Sequence, residues 1–272
     1  MEDYINRAIQ ETQKLISFPK NLKIYIISDK KYCKFISESL PREIRRHFLK
    51  TCKEKITFSY SYKSIKLITV ILTKSNKYLI KNKKALIGLL IHEIIHIKQR
   101  ELGLDKKIES YFNRKNYMNR FKKLKYSKKE IQFLYDKIKE NSILLLKELY
   151  SNNKIIKLNL KNYLLSYYYE QFKTKRICPQ PLFYEDIKGD IKMGADAIEF
   201  ELILLSIILP FYTTKHAKKL IQHLSKCYET NIKEITDKAH DIISLYISDF
   251  GKKDFDAKFF DSVFNKVYSL LK

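Results

Sequence analysis

The residues with the most specific chemical pattern lie at positions 92 to 96, where the sequence is His-Glu-Ile-Ile-His. Residues four apart lie one above the other on an α-helix, so His92 and His96 can bind one metal ion through their imidazole nitrogens. Glu93 lies beside that pair and can accept a proton from a water bound to the metal. This spacing is typical of zinc-dependent hydrolases. A bound zinc ion lowers the pKa of a coordinated water to about 7, which makes that water a nucleophile at neutral pH.

The segment around this motif predicts a buried helix over residues 81–99. Apart from Gly88 and the three polar motif residues, residues 86–97 are all aliphatic. Polar groups in such a helix need partners, because an unsatisfied buried charge is strongly unfavourable. Gly88, one turn before His92, costs about 1 kcal/mol inside a helix, which indicates a close approach by another element, such as a strand. A chance motif on a solvated helix does not fit these neighbours. A di-iron bundle would need a second Glu-x-x-His pair, which the chain lacks.

The elements that position this helix come mostly before it. We predict a helix over 4–17, a strand over 22–28, a helix that opens at Pro41, and a hairpin of strands 56–60 and 65–72. The rest is predicted helical, over residues 106–117, 128–158, 160–173, 196–208, 214–227, 231–249 and 255–271. The fold class is therefore α+β and mostly helical, with one domain over 1–272. Its α/β part is 1–100, which includes the motif helix, and its helical part is 101–272.

This order of elements, together with the His-Glu-x-x-His segment, resembles the zincin metallopeptidases over about residues 1–160. The resemblance implies that the strand before the motif helix, residues 65–72, forms the upper wall of the cleft and pairs with extended substrate. Lys98 departs from the family pattern, which usually has an apolar residue there.

A catalytic zinc needs a third protein ligand, and the branches of the family supply it differently. The metzincin branch would have Gly in place of Gln99 and His or Asp in place of Leu102, so that branch is excluded. The gluzincin branch uses a Glu from a later helix, commonly followed one turn on by Asp or a similar group. Glu148 and Asn152 match that pattern, so Glu148 is the predicted ligand and Asn152 the group that orients a ligand.

Glu148 also lies in a predicted apolar stripe with Leu144, Leu145 and Ile155. The alternative is a surface carboxylate on an imperfectly amphipathic helix. Glu199 and Glu201 are rivals as ligands, because both lie in the apolar segment 195–209.

The bulk composition limits the remaining interpretations. The formal net charge of +24 attracts polyanions, but the lysines are spread along the chain without a nucleic-acid motif, so solubility explains the charge better than a nucleic-acid partner does. The four cysteines, Cys33, Cys52, Cys178 and Cys227, are irregularly spaced and predict free thiols. We expect no signal peptide and no membrane span, and a soluble cytoplasmic protein.

The predicted function is a zinc metallopeptidase that hydrolyses peptide bonds through a metal-activated water, with a peptide or protein as its substrate. His92, His96 and Glu148 would hold one Zn²⁺, and Glu93 would be the catalytic base. The alternative is a basic helical protein with a degenerate or structural zincin site that binds nucleic acid non-specifically through its positive charge.

Overall fold

The structure is a computed structural model, and it is mostly helical with one small three-stranded sheet. It describes residues 2–27, 29–54, 57–72, 76–113, 117–173, 205–212, 214–228 and 240–271. The chain divides into two compact units, the first drawn from residues 1–102 and 154–177 and the second from 103–153 and 178–272. An α+β class with a small N-terminal sheet and helices after it is confirmed. No helix among the described residues is long and apolar enough to cross a membrane.

The elements are numbered here in chain order. They are α1 (Glu2–Leu15), β1 (Leu22–Ile27), α2 (Tyr32–Glu38), α3 (Arg42–Glu54), β2 (Thr57–Tyr62), β3 (Ile65–Ile71), a 3₁₀-helix (Lys77–Ile80), α4 (Lys83–Glu101), α5 (Leu104–Asn113), α6 (Met118–Phe121), α7 (Lys128–Lys157), α8 (Lys161–Lys173), a second 3₁₀-helix (Leu209–Phe211), α9 (Lys215–Tyr228), α10 (His240–Asp249) and α11 (Phe255–Leu271).

The predicted elements agree with this order, with a few differences. The predicted strand and hairpin are confirmed, although the second strand, β2, continues to Tyr62 through residues expected in the turn. The short helix α2 was not predicted, and Lys31, the residue just before it, makes no capping side-chain hydrogen bond that could have marked its start. Most of the predicted helix 196–208 and the first part of the predicted helix 231–249 lie outside the described residues.

The sheet has the strand order β1-β3-β2. β1 is parallel to β3, with Leu22 opposite Lys66, and β2 is antiparallel to β3, with Tyr62 opposite Ile65. Because β3 is hydrogen-bonded along both of its edges, it has no free backbone groups for a further strand. The expectation that residues 65–72 pair with extended substrate is therefore wrong, and β1 and β2 are the edges of this sheet.

Helices cover both faces of the sheet in the first unit. On one face, α2 and α3 bury an apolar cluster that includes Ile44, Phe48, Phe58, Leu67 and Ile71. On the opposite face, the end of α4 is fixed to the strands by polar contacts. The Arg100 guanidinium donates a hydrogen bond to the Ser59 hydroxyl at 2.7 Å, and Lys66 forms an ion pair with Glu101.

The cysteine prediction is wrong for one pair. Cys33 in α2 and Cys52 in α3 form a disulfide, with their Cα atoms 6.3 Å apart, inside the usual range for such bonds. Both are buried in the apolar cluster between these helices and the sheet. Irregular spacing in the sequence did not reveal the pair because α2 and α3 meet only through tertiary packing. Cys178 and the side chain of Cys227 lie outside the described residues.

Helix α4 is the predicted buried helix, shifted by two residues at each end. Twelve of its 19 residues are buried, on all sides of the helix. Asn82 caps its start, since the Asn82 side chain accepts a hydrogen bond from the Ala85 amide at 3.1 Å and donates one to Glu170 of α8 at 2.9 Å. The N-terminus of α4 is thereby joined to its neighbouring helix.

Gly88 marks the place where α8 lies closest to α4. A Cβ atom at Gly88 would lie 2.2 Å from the Tyr163 carbonyl oxygen and 3.2 Å from Cβ of Tyr167. The predicted close approach is present, but the neighbour is a helix rather than a strand. Without a side chain at this position the two backbones can touch, and α8 covers the face of α4 on which His92 lies.

In the second unit, the described helices surround an aromatic core. Phe255, Phe259, Phe260 and Phe264 of α11 are fully buried, and the ring of Phe264 stacks on Tyr117 with the ring centroids 4.2 Å apart. The apolar side of α7 contributes to the same core. This packing fixes which side of α7 is buried and which residues of that helix remain near the surface.

The contact at Gly88 predicts the sign of a stability change. In an ordinary helix, Gly→Ala stabilises by about 1 kcal/mol. Here Gly88→Ala should lower the free energy of unfolding by roughly 1–3 kcal/mol, because the new methyl group would overlap a backbone carbonyl that cannot move alone. Denaturant unfolding measures this change. Lys129→Ala, at an exposed position of α7, is the control and should alter stability by less than about 0.5 kcal/mol. A stabilised Gly88→Ala protein would contradict the contact.

Candidate metal centre

His92 and His96 lie on one face of α4, as their spacing predicts. Their Nε2 atoms are 3.1 Å apart, and the two rings are nearly perpendicular, with centroids 4.6 Å apart and an interplanar angle of 82°. His92 is only 7% exposed, and His96 is partly buried. The two imidazoles therefore direct the same nitrogen toward a common point, which is the arrangement that a shared metal ion requires.

Helix α8 supports this arrangement from its side of α4. The ring of Tyr167 lies beside His92, with the centroids 6.3 Å apart, and Gly88 allows α8 to come close one turn earlier. An aromatic neighbour limits the rotamers of the imidazole and excludes water from one side of it. Several tyrosines occur together in α8, so the sequence alone did not indicate which of them contacts the histidine.

Glu148 of α7 completes a group of three possible ligands. His92, His96 and Glu148 each offer one ligand atom, and these atoms all lie within 4.8 Å of one another. The group could hold a metal ion. The residue predicted as the third ligand is thus the one that the structure brings to the two histidines, although it lies 52 positions after His96 in the sequence.

The apolar stripe that motivated the choice of Glu148 is only partly present. Leu145 and Ile155 are buried as expected, but Leu144 is 49% exposed. Glu148 is partly buried and lies at the border between the core side and the exposed side of α7. A carboxylate at such a border stays close to solvent, so it avoids most of the cost of burying a charge before a metal is bound.

The turn of α7 that carries Glu148 is fixed by polar contacts on both sides of that residue. Lys147 forms ion pairs with Asp105 at 3.0 Å and Glu109 at 3.7 Å. The Tyr150 hydroxyl donates to the Asp256 carboxylate at 2.7 Å. Burial, followed by this hydrogen bond to a carboxylate, raises the pKa of Tyr150 above its ordinary value, so the phenol stays protonated and remains a donor.

Asn152 is fully buried one turn after Glu148. Its side-chain amide donates a hydrogen bond to the carbonyl oxygen of Ser206 at 2.9 Å. That contact holds α7 against the segment that contains Ser206 within the second unit. The role predicted for Asn152, orienting a metal ligand, stays a prediction.

Other acidic residues near the motif have different partners. Asp105 and Glu109 pair with Lys147, and Glu101 pairs with Lys66, so these three carboxylates are engaged in ion pairs. The rivals Glu199 and Glu201 lie outside the described residues. Among the described residues, Glu148 is the carboxylate that joins the two histidines.

Glu93 is partly buried on α4 and does not belong to the group of three ligands found among the described residues. It follows His92 directly, so its side chain leaves the helix at an angle of about 100° from that of His92. The role predicted for Glu93, a base beside the metal, stays a prediction.

Lys98, the residue that departs from the family pattern, lies two positions after His96. Its ammonium donates a hydrogen bond to the Ser17 hydroxyl at 2.9 Å. Burial lowers the pKa of Lys98, and the nearby Lys154 lowers it further, while Glu101 opposes both effects. The lysine thus has a polar partner of its own in the first unit, which explains how α4 accommodates it.

Comparison with known proteins adds no relative to this description, since no family model, no curated protein and no solved structure matches the chain. The chemistry and spacing of the chain's own residues are therefore what indicates its function.

The three-ligand group predicts which substitutions remove a metal. Glu148→Ala should lower the affinity for zinc by more than about 100-fold, whereas Asn152→Ala should lower it by at most about 10–100-fold, the usual effect of a group that only orients a ligand. Zinc affinity is measured by competition with a chelator of known affinity. Glu140→Ala, at an exposed carboxylate of the same helix, is the matched control and should bind zinc as the unaltered chain does.

The same measurement tests the rival ligands. Glu199→Ala and Glu201→Ala should leave zinc bound. Loss of zinc from either of these variants, with full zinc in Glu148→Ala, would show that the third ligand is not Glu148.

Proposed function

We propose that this protein is a zinc-dependent metallopeptidase of the gluzincin-like kind that its sequence resembles. The observation that carries the proposal is the group formed by His92, His96 and Glu148. Two imidazoles and one carboxylate are the donor set of catalytic zinc sites in peptidases, where three protein ligands leave one position open. A structural zinc site would instead use four protein ligands, most often including cysteine.

The separation of the two imidazoles fits a metal ion shared between them. Two imidazole nitrogens that share one ion, each bonded at about 2.0–2.1 Å, would have to lie close together. The Nε2 atoms of His92 and His96 are 3.1 Å apart. A small adjustment of the side chains would therefore suffice for binding, and the backbone of α4 would not have to move.

When bound, zinc supplies Lewis acidity, which polarises a peptide carbonyl and lowers the pKa of a coordinated water to about 7. In this proposal, the Glu93 carboxylate accepts the proton of the attacking water and then donates it to the leaving amine. His92, His96 and Glu148 would hold the metal and would exchange no proton with the substrate. Glu93 acts once as a base and once as an acid, so the enzyme returns to its starting protonation state.

The apolar surroundings of the site favour this chemistry. His92 is almost completely buried, and the residues around it on α4 are aliphatic. Electrostatic interactions in a region with little water are stronger than at an exposed surface, so the ligands and Glu93 can act on developing charge with less screening.

The proposal predicts that Glu93 can be changed without loss of metal. Glu93→Gln should keep about one zinc per chain but lower peptide hydrolysis by about 10²–10⁴-fold, because the amide cannot accept the proton. Cleavage of a mixed peptide library is followed by mass spectrometry, and zinc by elemental analysis of the same samples. Glu140→Gln is the matched control and should change neither value.

Two results would contradict the proposal in different ways. Full turnover by Glu93→Gln on a peptide that the unaltered chain cleaves would exclude Glu93 as the base. A zinc-loaded protein that cleaves no peptide of the library would instead favour a structural or degenerate site.

A further inference from the structure

One face of α3 carries a continuous line of cations that the proposed peptidase does not use. Arg42, Arg46, Lys50 and Lys53 follow one another at steps of four, four and three residues, so they lie on the same side of the helix. All four are exposed. Along the helix axis the line is about 16 Å long, with about 6 Å between neighbouring side chains. We call these four residues the α3 cation line.

The line exists because α3 is held by its opposite side. Ile44, Phe48 and Cys52 are buried against the sheet and α2, which leaves the cations directed outward. None of the ion pairs found among the described residues includes a member of the line. By contrast, Arg45 is turned back toward α2, where its guanidinium donates to the carbonyl oxygens of Glu38 and Leu40. Arg45 thus has a structural role in joining α3 to the end of α2, whereas the exposed Arg42 and Arg46 do not take part in that contact.

The presence of arginine rather than lysine in the first half of α3 is informative. Of its 54 basic residues, 46 are lysine and only eight are arginine, and three of the eight occur between positions 42 and 46. A general need for solubility would be met by lysine, as it is elsewhere in the sequence. Arginine binds phosphate groups with two parallel hydrogen bonds, which lysine cannot do.

Aromatic rings of the edge strand β2 lie next to α3. The ring of His47, an exposed residue of α3, is 5.9 Å from the ring of Tyr60, and Tyr62 follows two positions later on the same face of the sheet. Both tyrosines are partly exposed, and the Lys63 ammonium lies 5.3 Å from the centre of the Tyr62 ring. Surfaces that bind single-stranded nucleic acid combine two components, cations that contact the phosphates and accessible aromatic rings on which bases stack.

We propose that the α3 cation line and the β2 tyrosines Tyr60 and Tyr62 form a binding surface for single-stranded nucleic acid. The phosphates would lie along Arg42, Arg46, Lys50 and Lys53, and bases would stack on the tyrosines. An acidic peptide could use the cations but would gain nothing from the rings. The aromatic component therefore favours a nucleic acid over a protein with the same negative charge.

The surface is tested by binding of a fluorescently labelled 20-nucleotide oligodeoxythymidylate, measured by fluorescence anisotropy at several salt concentrations. The variant Arg42→Gln/Arg46→Gln/Lys50→Gln/Lys53→Gln should bind at least about tenfold more weakly. The slope of log affinity against log salt should become shallower by about 0.7 for each phosphate that the variant no longer neutralises, or about 3 in all.

The matched control removes the same number of charges elsewhere. Lys123→Gln/Lys125→Gln/Lys128→Gln/Lys129→Gln changes four exposed lysines of the second unit and gives the same net charge. It should bind the oligonucleotide within about threefold of the unaltered chain, because long-range attraction alone contributes little at physiological salt. Equal losses in the two fourfold variants would overturn the proposal, since net charge would then explain the binding.

A second variant distinguishes binding of nucleic acid from binding of other polyanions. Tyr62→Leu should weaken binding of the oligonucleotide by about fivefold or more and leave binding of a labelled polyglutamate peptide unchanged, because only bases can stack on the ring. An unchanged affinity for the oligonucleotide, or equally tight binding of polyglutamate, would overturn the proposal. Arg46→Gln alone should show a smaller loss of the same kind, so the test does not depend on folding of the fourfold variant.

Discussion

The contact between the backbones of α4 and α8 at Gly88 is the constraint on which the candidate site depends. A glycine there lets the Tyr163 carbonyl come within the space that a methyl group would fill. The approach brings Tyr167 beside His92 and lets Asn82, at the start of α4, bond to Glu170 of α8. The packing at Gly88 follows the general rule that protein interiors are filled with few voids.

Polar groups on α4 and α7, the two helices that carry the possible metal ligands, have different kinds of partners. On α4, the polar residues beyond the motif contact the sheet, through Arg100 and Ser59 and through Glu101 and Lys66. On α7, Lys147 and Tyr150, on either side of Glu148, have partners in the second unit. These contacts fix the helix around the ligand, while the Glu148 carboxylate itself belongs to the group with the two histidines.

The sequence indicated the site better than it indicated the fold around it. The many aliphatic residues around His92 and His96 predicted a buried helix, because such a composition is visible in a short stretch of sequence. The pattern at Glu148 predicted the carboxylate that lies with the two histidines in a possible metal-binding group. The central position of β3 and the Cys33–Cys52 disulfide could not be predicted, since each depends on how separate elements pack together. The short helix α2 was missed because no capping side chain marks its start. Gly88 showed that something comes close, but not whether a strand or a helix does so.

The α3 cation line has a consequence for the folded state itself. Like charges four residues apart on a helix repel one another and destabilise it by a few tenths of a kcal/mol per pair, so the cation line makes α3 less stable. Its buried residues and the disulfide to α2 hold it in place against that repulsion. Added salt weakens most surface ion pairs, but it also screens repulsion. In this part of the first unit, moderate ionic strength therefore stabilises the native helix.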